Sequence, residues 1–178
     1  DQKQAHNHYP THLWENEERY PLENAFLYPH QSLPASADPY DEASYEAYQR
    51  EDYAQTRLSN AALEFIEKTD EQPFFMYLAY ASPHAALQVP NEELASYSTF
   101  DETPYTAIRN YLPHPKPRAA RAAMISNIDR SVGAIMNRLE ELGISENTLI
   151  FFSSDNGPTP EGGSDIEFFD SNSIYRGY

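Results

Sequence analysis

The sequence contains no cysteine, which excludes disulfide bonds, thiolate metal ligands and a cysteine nucleophile within these 178 residues. It also has few basic residues, because 12 Lys and Arg stand against 28 Asp and Glu, for a formal net charge of -16. A field of this sign repels nucleic acids and anionic membranes, so we expect neither as a partner. The charge itself is typical of a well-solvated surface and identifies no substrate.

Long apolar runs are lacking too, and none approaches the roughly 20 residues that a helix needs to cross a bilayer, so we expect no membrane insertion. The chain begins at Asp1 without a basic and apolar leader, so no targeting segment is identified and the residues do not fix the compartment. The glycines form neither a phosphate-binding loop nor a Gly-x-Ser-x-Gly elbow, which leaves an α/β-hydrolase serine site without support.

Apolar and aromatic residues are plentiful, at 40% and 13% of the chain, which is enough for one domain with a core. Residues 1–52 are rich in His, Tyr, Pro and acidic side chains, and their prolines break any long periodic element. We therefore predict a loop-rich segment that packs against something larger. Residues 53–178 are predicted to form an α/β portion.

Two helices and two strands are predicted in this portion. Apolar residues at helical spacing indicate an amphipathic helix over 53–68 and another over 118–142, which ends at Gly143. The apolar runs at 74–81 and 148–154 predict strands buried on both faces of a parallel sheet. The order favours an α/β architecture with a mostly parallel sheet flanked by helices and long loop-rich segments. The predicted apolar face of the second helix consists of Ile125, Ile128, Val132, Ile135, Leu139 and Leu142.

Polar turns follow both predicted strands, in the place where functional groups gather at the carboxyl edge of a parallel sheet. The first contains His84, an imidazole that either donates a proton to a leaving group, binds an anion or caps local backbone. The second is Asp155-Asn156-Gly157, whose oxygens suit a hard cation such as Ca²⁺ or Mg²⁺, although the same tripeptide is common turn chemistry. We expect His84, Asp155 and Asn156 to converge on one pocket.

The histidines at positions 6, 8 and 12 form a cluster in the sequence. Three imidazoles at such spacing can hold a metal ion. They lie in an acidic, flexible-looking stretch, however, which favours surface or packing roles for His6, His8 and His12.

Three stretches, taken in order, resemble the middle of an arylsulfatase-type sulfatase: PFFMYLAYASPHAALQVP at 73–90, RAAMISNIDRSVGAIMNRLEELGISENTLIFFSSDNGP at 121–158 and the GGSDIEFFDSNSIYRGY ending. The opening QKQAHNHYPTHLWENEE is similar to the segment that precedes these in many bacterial members. The resemblance covers nearly the whole chain. It implies an alkaline-phosphatase-like α/β fold and hydrolysis of sulfate esters.

The resemblance also implies a mechanism. In this family a cysteine or serine of an upstream C/S-x-P-x-R motif is oxidised to formylglycine, whose hydrate attacks sulfur, while a divalent cation, usually Ca²⁺, polarises the sulfate oxygens. Asp155 and Asn156 match the late pair of metal ligands, and His84 matches the histidine that contacts sulfate and assists leaving-group protonation. A sulfated small molecule or carbohydrate is the implied substrate, and a periplasmic or extracellular location is implied as well.

Several family features do not occur in these residues: the C/S-x-P-x-R motif, the early pair of aspartate ligands and the Gly-Lys-x-His segment. The late lysine would follow Arg176-Gly177-Tyr178, where the sequence stops. We interpret residues 1–178 as the central part of a sulfatase catalytic domain that is inactive on its own. Two alternatives stay open, a phosphoester or phosphonate hydrolase of the same superfamily and a non-catalytic acidic binding module.

Overall fold

The computed structural model describes residues 6–69, 72–107 and 110–176. Gly177 and Tyr178, which belong to the motif before the family's late lysine, therefore lie outside the described residues. Two α-helices are present among these residues, α1 at Ala54–Glu67 and α2 at Pro117–Glu141. Both predicted helices are confirmed, with ends displaced by one residue.

The C-terminus of α2 has the glycine-dependent ending that the sequence predicts. Gly143 has a φ of 70°, in the left-handed region that glycine adopts without steric cost. Its N–H donates to the Glu140 carbonyl at 2.9 Å, and the N–H of Ile144 donates to the Leu139 carbonyl at 3.0 Å. These two bonds satisfy helix carbonyls that would otherwise lack partners, and Ile144 packs back against the apolar cluster that contains Leu139.

The buried residues in the N-terminal half of α2 are mostly alanines. Ala120, Ala123 and Met124 are fully buried and pack against Leu87 and Val89 of the segment before it. This half contacts a different part of the chain from the C-terminal half, so the buried face changes along the helix.

The C-terminal half of α2 packs against α1. Ile135 and Leu139 form a buried cluster with Ala62 and Ile66. The predicted apolar face is thus correct in its middle and wrong at its ends, since the helix packs against different partners along its length. Ile128, Ile135 and Leu139 are buried, whereas Ile125 and Leu142 are exposed.

The loop-rich N-terminal segment contains a short antiparallel hairpin, with β1 at His12–Glu15 and β2 at Glu18–Pro21. It is the one sheet among the described residues. Asn16 begins the turn with a φ of 56°, which asparagine tolerates better than most residues. The remaining helical elements are 3-10 helices at Glu42–Tyr48, Asn91–Tyr97, Ser145–Asn147 and Glu161–Gly163.

The first predicted strand, over 74–81, is wrong for this chain. The segment is extended, but nothing in the described ranges pairs with it as a ladder. Alternate residues Phe74, Met76 and Leu78 pack against the α1–α2 cluster, whereas Phe75 and Tyr77 are 88% and 84% exposed. A strand buried on both faces needs neighbouring strands and two helical layers. Here α1 and α2 cover one face only.

The second predicted strand, over 148–154, is also extended without a ladder partner among the described residues. Leu149 is 86% exposed and Phe151 is 90% exposed, so this apolar run has almost no cover. The predicted parallel sheet is therefore not formed by the described part of the chain. Within that part, no helix is both long and apolar enough to span a membrane.

Candidate functional site

His84 lies on the surface in a turn that follows the first extended segment. Its backbone N–H donates to the Ala81 carbonyl at 2.9 Å, which closes the turn. The imidazole Nδ1 donates to the carbonyl of Ala85, so the neutral ring has its proton on Nδ1 and a lone pair on Nε2. Because the side chain is exposed, this Nε2 is accessible to a ligand.

The histidine-rich N-terminal segment lies directly against this turn. His8 is buried, and its Nε2 donates to the His84 carbonyl at 2.9 Å while its backbone N–H donates to Oε1 of Gln88 at 2.9 Å. Burial lowers the pKa of His8 to about 4, so the ring is neutral near pH 7. His8 thus has the packing role that the sequence favours.

Three imidazoles meet around the ring of Tyr111. His6 stacks on His84, with ring centroids 4.9 Å apart and planes 8° apart. His30 meets His6 edge-on, and Nδ1 of His6 lies 3.3 Å from Nε2 of His30. The Tyr111 ring centroid is 5.2 Å from His6, 5.5 Å from His30 and 5.6 Å from His84. We call these four residues the imidazole cluster.

A carboxylate completes the surroundings of the cluster. The Tyr111 hydroxyl donates to Oε2 of Glu161 at 3.0 Å, and burial together with this carboxylate raises the pKa of Tyr111. The neighbouring Gly162 has a φ of 65°, and a Cβ there would lie 2.2 Å from the Cβ of Ala85. Only glycine permits this close approach, which holds the segment after the second candidate turn against the turn of His84.

Asp155 and Asn156 lie in an exposed bend at the end of the second extended segment. The Asn156 Nδ2 donates to the Gly157 carbonyl at 2.8 Å, which leaves its Oδ1 available. The Asp155 carboxylate accepts no hydrogen bond within the described ranges, so it too is free to bind a cation. These oxygens fit Ca²⁺ or Mg²⁺ as two members of a larger shell. No group of three or more His, Asp and Glu side chains in the described ranges is arranged to hold a metal.

The predicted convergence of His84 with Asp155 and Asn156 stays a prediction, since no contact between them occurs in the described structure. What does connect the two turns is the Glu161–Tyr111 hydrogen bond, five residues beyond Asn156.

His6, His30, Tyr111 and Glu161 were not identified as site residues from the sequence. These residues are far apart in the sequence, and no periodic pattern or motif spacing predicts that they meet.

A family model described as Sulfatase matches residues 3–176. The chain belongs to the sulfatase family. The resemblance inferred from its motifs is therefore confirmed, and the family is one of sulfuric ester hydrolases.

Curated relatives are sulfatases of bacteria and mammals. N-sulphoglucosamine sulphohydrolase of Homo sapiens is 28% identical over 137 residues, covering 62% of this chain and 26% of that protein. Arylsulfatase of Klebsiella aerogenes is 29% identical over 150 residues, covering 65% and 32%. N-acetylgalactosamine-6-O-sulfatase of Bacteroides thetaiotaomicron is 29% identical over 126 residues, covering 67% and 21%. The chain thus spans about a fifth to a third of the length of these sulfatases.

Two solved structures also resemble this chain. The structure of Ps i-CgsB in complex with k-i-k-neocarrahexaose matches with a TM-score of 0.54 and 32% identity, over 65% of this chain and 23% of that chain. A second structure of Ps i-CgsB matches with a TM-score of 0.53. Together with the family, these matches fit the predicted alkaline-phosphatase-like α/β class. The described part of this sulfatase chain forms helices of that class but not its parallel sheet.

Proposed function

We propose that this chain supplies part of the active site of a sulfuric ester hydrolase that acts on a sulfated small molecule or carbohydrate. His84 is the substrate-facing residue in this proposal, and Asp155 and Asn156 are two ligands of a divalent cation, Ca²⁺ or Mg²⁺. The observation that carries the proposal is an exposed imidazole with a free Nε2, within a stretch that matches the sulfatase family over residues 3–176.

The tautomer of His84 supports this role. Because the Ala85 carbonyl accepts from Nδ1, any second proton on the ring resides on Nε2, which has no hydrogen-bond partner among the described residues. From there the imidazolium donates a hydrogen bond to a sulfate oxygen or a proton to the departing alcohol oxygen. General acid catalysis of this kind contributes about 10²- to 10⁴-fold to the rate.

The other two parts of the proposed site are a cation and a nucleophile. A cation held by Asp155 and Asn156 supplies Lewis-acid polarisation of the sulfate oxygens. The nucleophile is the formylglycine of an upstream C/S-x-P-x-R motif, which does not occur in these 178 residues. We therefore expect the chain on its own to be inactive.

The test is release of sulfate from an aryl sulfate by the gene product in which these residues occur together with the nucleophile motif. We expect His84→Ala to lower kcat by about 10²- to 10⁴-fold. His12→Gln is the matched control, since His12 lies on the hairpin, where its imidazole hydrogen-bonds to Thr11 and contacts the Trp14 ring, and it should leave kcat unchanged. The purified 178-residue chain should release no sulfate.

Each contrary outcome has a distinct meaning. Turnover by the 178-residue chain would refute the upstream nucleophile, and unchanged kcat in the His84→Ala enzyme would refute the role of His84. Faster cleavage of an aryl phosphate than of the matching aryl sulfate would favour a phosphoester hydrolase. Turnover of neither ester would favour a non-catalytic binding module.

A further inference from the structure

We propose that His6 is a second anion-binding imidazole of the site, so that Nε2 of His6 and Nε2 of His84 bind one sulfate group together, and that His30 fixes the tautomer of His6. The identification of the anion as sulfate rests on the proposed function. The inference gives a role to two histidines to which the match with the sulfatase motifs assigns none.

Hydrogen bonds to backbone carbonyls determine which ring nitrogen of each neutral histidine has the proton. Nδ1 of His30 donates to the Asn110 carbonyl at 3.3 Å, so neutral His30 has its lone pair on Nε2. That atom lies 3.3 Å from Nδ1 of His6 and accepts its proton. Neutral His6 therefore has its own lone pair on Nε2, as His84 does through its bond to the Ala85 carbonyl.

The stacked pair thus has two nitrogens available to a ligand. No residue in the described ranges hydrogen-bonds to Nε2 of His6 or of His84. The proposal places one anion across the two Nε2 atoms of rings whose centroids are 4.9 Å apart. Charge-assisted N–H···O bonds of about 2.7–2.9 Å to two oxygens of one sulfate group span a gap of this size.

A metal ion fits this pair less well than an anion. An imidazole coordinates a metal through a lone pair in the plane of its ring. The planes of His6 and His84 are 8° from parallel and stacked, so they have no common in-plane point near both rings. Hydrogen bonds to separate oxygens of one anion need no such point. The described residues likewise offer no group of three His, Asp or Glu side chains able to hold a metal.

The charges around His6 favour an anion as well. Burial lowers the pKa of His6, as do the neighbouring His84 and His30, whereas Glu161 raises it. Protonated rings in this cluster repel one another, and a bound sulfate relieves that repulsion, so sulfate binding should take up a proton and strengthen as the pH falls. The titratable groups that face His6 are His8, His30, His84, Tyr111 and Glu161.

The test is ¹H–¹⁵N NMR of the histidine rings in the 178-residue chain, titrated with inorganic sulfate at about pH 6 and constant ionic strength. In the free chain we expect protons on Nδ1 of His6, His30 and His84. Sulfate should move the Nε2 resonances of His6 and His84 with a single Kd. His6→Gln should weaken that Kd about tenfold, and His12→Gln should not change it. His30→Leu should mix the tautomers of His6.

A titration in which His84 moves alone, or in which neither ring moves, would overturn the inference. So would an unchanged Kd in a His6→Gln chain with native circular dichroism. If His6→Gln does not fold, the tautomers and the common Kd of the native chain decide the question.

Failure of the proposed function can be distinguished from failure of the inference about His6. Sulfate binding to both rings, combined with no cleavage of aryl sulfate by the gene product, leaves the anion site intact. Cleavage with His84 moving alone refutes only the role of His6.

Discussion

The apolar segments at 74–81 and 148–154 differ from the histidine-rich N-terminal segment in how much of each segment is covered by, or bonded to, the rest of the chain. The apolar segments lack ladder partners among the described residues, and many of their rings are exposed. The N-terminal segment is polar and proline-rich, yet His8 is buried and bonds to both His84 and Gln88. An apolar pattern thus indicates that a segment requires cover, but not that the same chain provides it.

The largest expected effect compares two leucines. Leu87 is 1% exposed and packs against the N-terminal half of α2, whereas Leu149 is 86% exposed. Leu87→Ala should lower the free energy of unfolding by about 2–5 kcal/mol, because it removes buried methyl groups and leaves a cavity. Leu149→Ala should change it by no more than about 0.5 kcal/mol. Urea denaturation followed by circular dichroism measures both.

These two variants also test whether the second extended segment is exposed in solution. If Leu149→Ala is as destabilising as Leu87→Ala, the second extended segment is covered in solution. A change in the concentration dependence of the melting temperature would then show whether a second copy supplies that cover.

Much of this fold is predictable from local pattern. The spacing of apolar residues gave both helices, and Gly143 gave the end of α2, because helix formation and capping depend on neighbours three to five positions away. The burial of the strands was not predictable, since it depends on partners that no local pattern specifies.

The candidate site likewise contains one residue that the sequence pointed to and others that it did not. His84 was proposed as a site residue because a predicted strand end and a sequence resemblance both point to it. His6 and His30 were missed, although the structure brings them to His84 from 78 and 54 positions away. Their positions depend on long-range bonds such as that from the Ala86 N–H to the His6 carbonyl at 3.4 Å, and loop composition does not predict such bonds.

A smaller effect tests whether the polar N-terminal segment is held by its own hydrogen bonds. The buried Asn24 side chain donates to the carbonyls of Pro10 at 2.9 Å and Asp52 at 2.8 Å, and accepts from the Asp52 N–H at 3.1 Å. Asn24→Ala leaves these groups without a partner and should lower the free energy of unfolding by about 1–3 kcal/mol. The control is exposed Asn147→Ala, expected within about 0.5 kcal/mol of native. Equal effects would mean that Asn24 does not hold the segment.

The last comparison concerns a pH dependence that originates in His8. Its pKa is about 4 in the folded chain and about 6.5 when unfolded, so between these values the unfolded chain binds a proton that the folded chain does not. The free energy of unfolding should therefore fall as the pH is lowered from about 6.5 to about 4, by up to roughly 1.4 kcal/mol per pH unit from this residue. His8→Gln keeps a side-chain donor for the His84 carbonyl but removes the titration, so its slope should be shallower by that amount. The carboxylates contribute equally to both chains. Identical slopes for native and His8→Gln chains in urea denaturation at several pH values would mean that His8 is not buried as a neutral ring, and the N-terminal segment would then be no better fixed than the exposed apolar segments.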